Sequence, residues 1–144
     1  MLVDDEERYL ETTRKLLEKK GYHAVTASSG PEAIKKLSEE AVHVVILDVK
    51  MPQMDGHETF REIKKRHPLI EVIMLTGHAT VESAIEGLKT GAFDYLMKPA
   101  DVDVLIEKAE EAFMKYKKHQ EKINMAMLEK SLQSPRDILK GQTH

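Results

Sequence analysis

Val44-Val45-Ile46-Leu47 and Val72-Ile73-Met74-Leu75 are apolar runs without a polar break. A strand with one wet face alternates polar and apolar residues, so an unbroken run fits a strand buried on both faces. Such strands need a covering layer on each side, and the segments between them have helical periods. Tyr9, Leu10, Thr13, Leu16 and Leu17 recur at helical spacing, with Gly21 as a C-terminal stop. Tyr22 to Ala27 reads as a strand. Ser29-Gly30-Pro31 opens a second helix with Pro31 at its first position, and Ala33, Ile34 and Leu37 face inward from it. The run from Val44 ends at Asp48, and a loop follows from Val49 to Gly56. Phe60, Ile63 and His67 space a third helix that Pro68 ends. The run from Val72 ends at Thr76-Gly77. Val81, Ala84, Ile85 and Leu88 mark a fourth helix closed by Gly91. Phe93 to Met97 is a fifth strand ending at Lys98-Pro99. From Asp101 a last helix carries Leu105, Ile106, Ala109, Ala112, Phe113 and Tyr116 on one side.

Five strand–helix units in this order predict an α/β fold. The expected architecture is a flavodoxin-like (βα)5 sheet, five parallel strands in the order 2-1-3-4-5 with helices on both faces. The first strand has only Met1 to Val3 before the acids at Asp4-Asp5, short for a central strand, which reads as a truncated start. Residues 1–118 are expected to form the domain, and 119–144 a helical extension or linker with a polar tail. Lys117 to Leu132 keeps a polar helical pattern until Ser134-Pro135 breaks it. A chain of 144 residues, 41% hydrophobic and 33% charged, suits one soluble domain. The absence of cysteine excludes disulfides and thiolate metal sites. A net charge of −3 without a dense basic patch argues against direct nucleic-acid contact. No apolar run approaches a membrane-spanning length, so a cytoplasmic location without membrane contact is expected.

Open α/β sheets bind ligands at the carboxyl ends of their strands. Those ends carry Asp4-Asp5, Asp48, Thr76 and Lys98. In the order 2-1-3-4-5 the first and third strands are neighbours and the fourth follows. Three carboxylates, a hydroxyl and an ammonium therefore converge on one edge. Clustered carboxylates repel one another, and a divalent cation removes that conflict. Hard oxygen ligands favour Mg²⁺ over a soft transition metal. An aspartate can act as a nucleophile and form an aspartyl-phosphate, a reaction that needs positioning and charge neutralisation.

Four motifs at these strand ends carry a resemblance: Leu2-Val3-Asp4-Asp5-Glu6, Leu47 to Gly56, Leu75-Thr76-Gly77, and Gly91 to Pro99. From Leu2 to about Tyr116 the chain resembles bacterial two-component response regulator receivers, of the chemotaxis and nitrogen-regulation type. The resemblance implies a phosphoacceptor switch of a phosphorelay that catalyses only its own phosphoryl transfer and dephosphorylation. It implies that Asp48 accepts phosphate from a histidine kinase or phosphotransfer protein. Asp5 and Asp48 would bind Mg²⁺ with the backbone carbonyl of Lys50, and Asp4 would act mainly through water. Lys98 would contact the phosphoryl group. Thr76 would move to hydrogen-bond it, and Tyr95 would swing into the vacated space. Lys98-Pro99 would be a cis peptide. The output surface would be the fourth helix, fifth strand and last helix, where a homodimer could form.

Several plainer readings stand beside these. Asp4-Asp5 could cap the first helix, Asp48 could close a turn, and Lys98 could serve a structural ion pair. Tyr95 could be half-buried core. Asp55 and Gly56 are expected to shape the loop, Gly56 by a backbone conformation that other residues resist. Lys50 and His78, two residues after Asp48 and Thr76, border the expected site and are candidates for tuning the lifetime of the phosphate. At the level of the whole chain the rivals are a receiver-like binding module that works without phosphate, and an aspartate-nucleophile phosphatase. The phosphatase usually has a second Asp two residues after its nucleophile, where this chain has Lys50.

Overall fold

The computed structural model describes residues 1–51, 53–77 and 81–132. Its elements are β1 (Leu2–Val3), α1 (Glu7–Lys19), β2 (Thr26–Ala27), α2 (Gly30–Glu39), β3 (Val44–Asp48), α3 (Gly56–Arg66), β4 (Glu71–Thr76), α4 (Val81–Lys89), β5 (Asp94–Met97) and α5 (Val102–Ser131). All pairings are parallel, and the sheet order is β2-β1-β3-β4-β5. This is the expected flavodoxin-like topology.

The unbroken apolar runs are explained by two cores, one on each face of the sheet. Along β4, Val72 and Met74 enter one core with Phe60 and Ile63 of α3 and Leu37 of α2. Ile73 and Leu75 point the other way, to Leu10 and Leu17 of α1 and Leu105 and Ala112 of α5. In β3, Val45 and Leu47 join the first core and Ile46 the second. Period-two alternation thus persists, but both sides are apolar because both are covered.

Strand length departs from the sequence reading at β2. The expected strand Tyr22–Ala27 is only Thr26–Ala27. A strand exists where a neighbour pairs with it, and β1 offers β2 only Leu2 and Val3. Pro31 also falls one position later than expected, because α2 begins at Gly30. Its N-cap Ser29 accepts from the Glu32 N–H at 3.2 Å, while the Glu32 carboxylate accepts from Ser28 N–H and Oγ.

Gly91 ends α4 as expected. Its φ of +106° lets Gly91 N–H reach Leu88 O and Ala92 N–H reach Gly87 O, a Schellman cap. α5 is one uninterrupted helix of 30 residues, started by Asp101, whose side chain accepts from Asp103 N–H. The expected division at 118/119 falls inside this helix, whose backbone continues across it without a break. From residue 121 to 132 every position is exposed. Ser134-Pro135 and the tail lie outside the described residues.

Candidate functional site

Four strand ends build the site. Asp4 directly follows β1, and its N–H donates to Ala27 O at 3.1 Å, extending the ladder with β2. That bond holds Asp4 at the sheet edge with 2% exposure. Its Oδ1 accepts from the Glu6 N–H at 2.9 Å. The capping alternative does not hold, since the N-cap of α1 is Glu6 and no side chain caps that helix. Asp48 ends β3, is also buried, and accepts from the Lys50 N–H at 3.4 Å. Lys98 follows β5, with its N–H donating to Thr76 O at 2.7 Å, and the Lys98-Pro99 peptide is cis as expected.

Carboxylate oxygens of Asp4, Asp5 and Asp48 lie within 4.8 Å of one another. The Lys98 ammonium is 2.5 Å from Asp4 Oδ2, 3.8 Å from Glu6 Oε1 and 3.9 Å from Asp48 Oδ2. Lys98 thus leans on Asp4 and reaches Asp48 more loosely. Burial pushes the Asp48 carboxyl up to about 6, the charge of Asp4 pushes the same way, and Lys98 and the Lys50 N–H only partly oppose them. For Lys98, burial works against the charged form, but Asp4, Asp48 and Glu6 outweigh it and raise the ammonium above its ordinary value.

The donor set fits a hard divalent cation. It consists of oxygens from three acids, and Asp5 is exposed and open to water. Asp4 is buried in this cluster, with its Oδ2 against the Lys98 ammonium at 2.5 Å. Beside the acids lies an open groove of about 500 Å³ lined by Asp5, Val49, Lys50, Met51, Asp55 and His57. Room for waters and an incoming group is what a partly hydrated Mg²⁺ requires.

Thr76 ends β4 one residue beyond the Leu75 that pairs with Asp48, and it is buried. Tyr95 is partly buried against the core on the α2–α3 face, with its ring set against Gly87 of α4. Gly56 requires a correction. Its φ is not positive; a Cβ there would lie 2.5 Å from Val49 Cα, and the Asp48 carbonyl is in the way as well. Space, and not backbone conformation, reserves this position for glycine. Asp55 caps α3 by accepting from the Glu58 N–H at 2.8 Å. His78 and Pro52 lie outside the described residues. The sequence reading missed Tyr9, whose ring stands over the Lys98 ammonium at 4.6 Å to its centroid. The available signal was its position on the first helix a turn beyond the acidic pair.

Comparison with known proteins bears on the family and the fold. The model of the response regulator receiver domain matches residues 1–110. The transcriptional regulatory protein ZraR of Escherichia coli K12 is 41% identical over 112 residues, which are 78% of this chain and 25% of that protein. The DNA-binding transcriptional regulator NtrC of the same organism is 32% identical over 126 residues, 88% of this chain and 27% of NtrC. The chain thus spans about a quarter of the length of the curated relatives it matches. Their names connect those whole proteins with transcription and, for NtrC, with DNA, which runs against the expectation of no direct nucleic-acid contact. A receiver domain from Clostridium thermocellum superposes with a TM-score of 0.75 at 40% identity, covering 81% of this chain and 94% of that one. The beryllofluoride-activated NtrC4 receiver domain dimer gives 0.74 at 39%, covering 80% and 95%. No helix among the described residues is long and apolar enough to cross a membrane. An acidic triad and a lysine at the carboxyl edge of a 2-1-3-4-5 sheet, matched over more than half the chain by one family, place this chain in the response regulator receiver domain family.

Proposed function

We propose that Asp48 is the residue on which this receiver domain takes its phosphoryl group, with a histidine kinase or phosphotransfer protein as the donor. The observation that carries the reading is the convergence of Asp48, Asp4, Asp5 and Lys98 at one edge. An Asp48 oxygen attacks phosphorus, an O–P bond forms, and the bond from phosphorus to the donor breaks with the electron pair leaving on the donor. Lys98 neutralises charge on the transferred group. Asp5, Asp48 and the Lys50 carbonyl would hold Mg²⁺, with Asp4 acting mainly through water, and the ion would supply charge neutralisation on the phosphoryl oxygens. Thr76 then hydrogen-bonds the phosphoryl group and Tyr95 follows it inward. Lys50, on the groove rim, tunes water access, and residues 119–144 serve as a linker.

The output surface in this reading is α4, β5 and α5, where Ile85, Leu88 and Met97 are about half exposed. The NtrC4 receiver domain is a dimer, which supports self-association of this chain, and this reading assigns that contact to the same face. The chain would act in the cytoplasm, and its chemistry would be confined to its own phosphorylation and dephosphorylation. A module that binds without phosphate has no observation in its favour.

Incubation with acetyl phosphate and Mg²⁺, followed by intact mass, tests the proposal. The wild type should gain one phosphoryl group, and Asp48→Asn, or the wild type in EDTA, should gain none. Equal gain by Asp48→Asn would sink it.

A further inference from the structure

Lys98 lies within 4.0 Å of three carboxylates and also beneath an aromatic ring. The Tyr9 ring lies 4.6 Å from the ammonium, inside the range of a cation–π contact. Tyr9 is held there by its own packing, since it sits on α1 against the core that contains Leu10, Leu75 and Leu105. The contact with the ammonium is made by the ring face and not by the hydroxyl.

The ion pairs of Lys98 explain why the ring matters. Its close contact is Asp4 at 2.5 Å, whereas Asp48 is 3.9 Å away. A cation bound among Asp4, Asp5 and Asp48 competes with the ammonium for the same oxygens. With Asp4 turned to the waters of such an ion, Lys98 would share its closest partner and be left with a flexible four-carbon stem. The π face does not take part in that competition. It keeps attracting the ammonium.

We propose that Tyr9 is a positioning residue for Lys98, holding the ammonium by its ring face where it can meet the phosphoryl group on Asp48. This deepens the proposed function and rests on it. The ring is the active part, so phenylalanine should replace tyrosine and an aliphatic residue should not.

The test pairs a spectroscopic signature with rates. Side-chain NMR signals of Lys98, assigned through Lys98→Arg, are compared in wild type, Tyr9→Phe and Tyr9→Leu, with Tyr9→Met as a second non-aromatic variant should the leucine variant not fold. Phosphorylation by acetyl phosphate with Mg²⁺ is followed by intact mass. Ring currents should hold the Lys98 ε-methylene protons upfield in wild type and Tyr9→Phe, and the shift should disappear in Tyr9→Leu. The leucine variant should be phosphorylated about fivefold more slowly, and the phenylalanine variant within about twofold of wild type. Lys98 signals that do not respond to Tyr9→Leu, or a phenylalanine variant as slow as the leucine one, overturn the role of Tyr9 and leave Asp48 as acceptor intact. A wild-type chain that takes up no phosphoryl group overturns both.

Discussion

Asp48 is where the chemistry and the stability of this chain pull apart. Its carboxyl is shifted from 3.8 to about 6 in the folded protein, so without a cation the fold prefers the protonated form. A raised folded value means a contribution to stability that is complete below pH 3.8. It is lost as pH rises through about 6. Urea unfolding in EDTA should therefore find Asp48→Asn more stable than wild type by about 2 kcal/mol at pH 8. The gain should shrink to nothing near pH 3.5, and an equal gain at both pH values would disprove this origin. Saturating Mg²⁺ should reverse the order by stabilising only the wild type. Gly56 makes a second residue-scale case. Any Cβ there meets the Asp48–Val49 backbone, which cannot yield as a side chain can. Gly56→Ala should cost about 3 kcal/mol in urea unfolding and slow phosphorylation, because the atoms displaced belong to Asp48, the proposed acceptor, and its neighbour. A loss under 1 kcal/mol would show that the loop gives way freely.

At the scale of elements, α4 and β5 meet through Gly87 and Tyr95. A glycine within a helix normally gains about 1 kcal/mol on replacement by alanine. Here a Cβ would stand 2.7 Å from Tyr95 Cδ2. Gly87→Ala should thus destabilise the wild type by about 1 kcal/mol and stabilise a Tyr95→Ala background, giving a coupling near 2 kcal/mol in a double-mutant cycle. The same sign in both backgrounds would count against the contact. This pair was illegible in the sequence, as was the shortness of β2, and for one reason. Periodicity reports which face a residue occupies, but not which residue lies opposite. It was enough for β3 and β4, whose unbroken apolar runs announce two cores, and for the stops at Gly21 and Gly91, both at positive φ. It was enough to bring Asp4, Asp5, Asp48 and Lys98 to one edge. It could not say that Lys98 leans on Asp4 before Asp48, that Tyr9 covers it, or that Gly56 is reserved for lack of room. Those are distances between segments remote in sequence, set by the packing of α1 and α3 on the sheet.

The whole molecule is a doubly covered sheet with one helix that outruns it. Leu105 and Ala112 bury the first half of α5 against β4. His43 meets Phe113 and Tyr116 in tilted ring contacts, with centroids 5.4 and 4.7 Å away, where the helix leaves the sheet. Beyond that point all residues from 121 to 132 are exposed, among them Met127 at 66% and Leu132 at 73%. The eleven helical residues 121–131, without tertiary packing, are marginal in water. Stability should therefore fall steeply along a single helix. In native-state hydrogen exchange, amides of 123–131 should exchange at least about a hundredfold faster than those of Val45 to Leu47 in the doubly buried β3. A chain ending at Gln120 should keep its Tm within about 2 °C, because what it loses buries little surface. Amides of 123–131 that exchange as slowly as β3 in the monomer would mean that the outer half of α5 is packed against something, and the domain would then extend past residue 120.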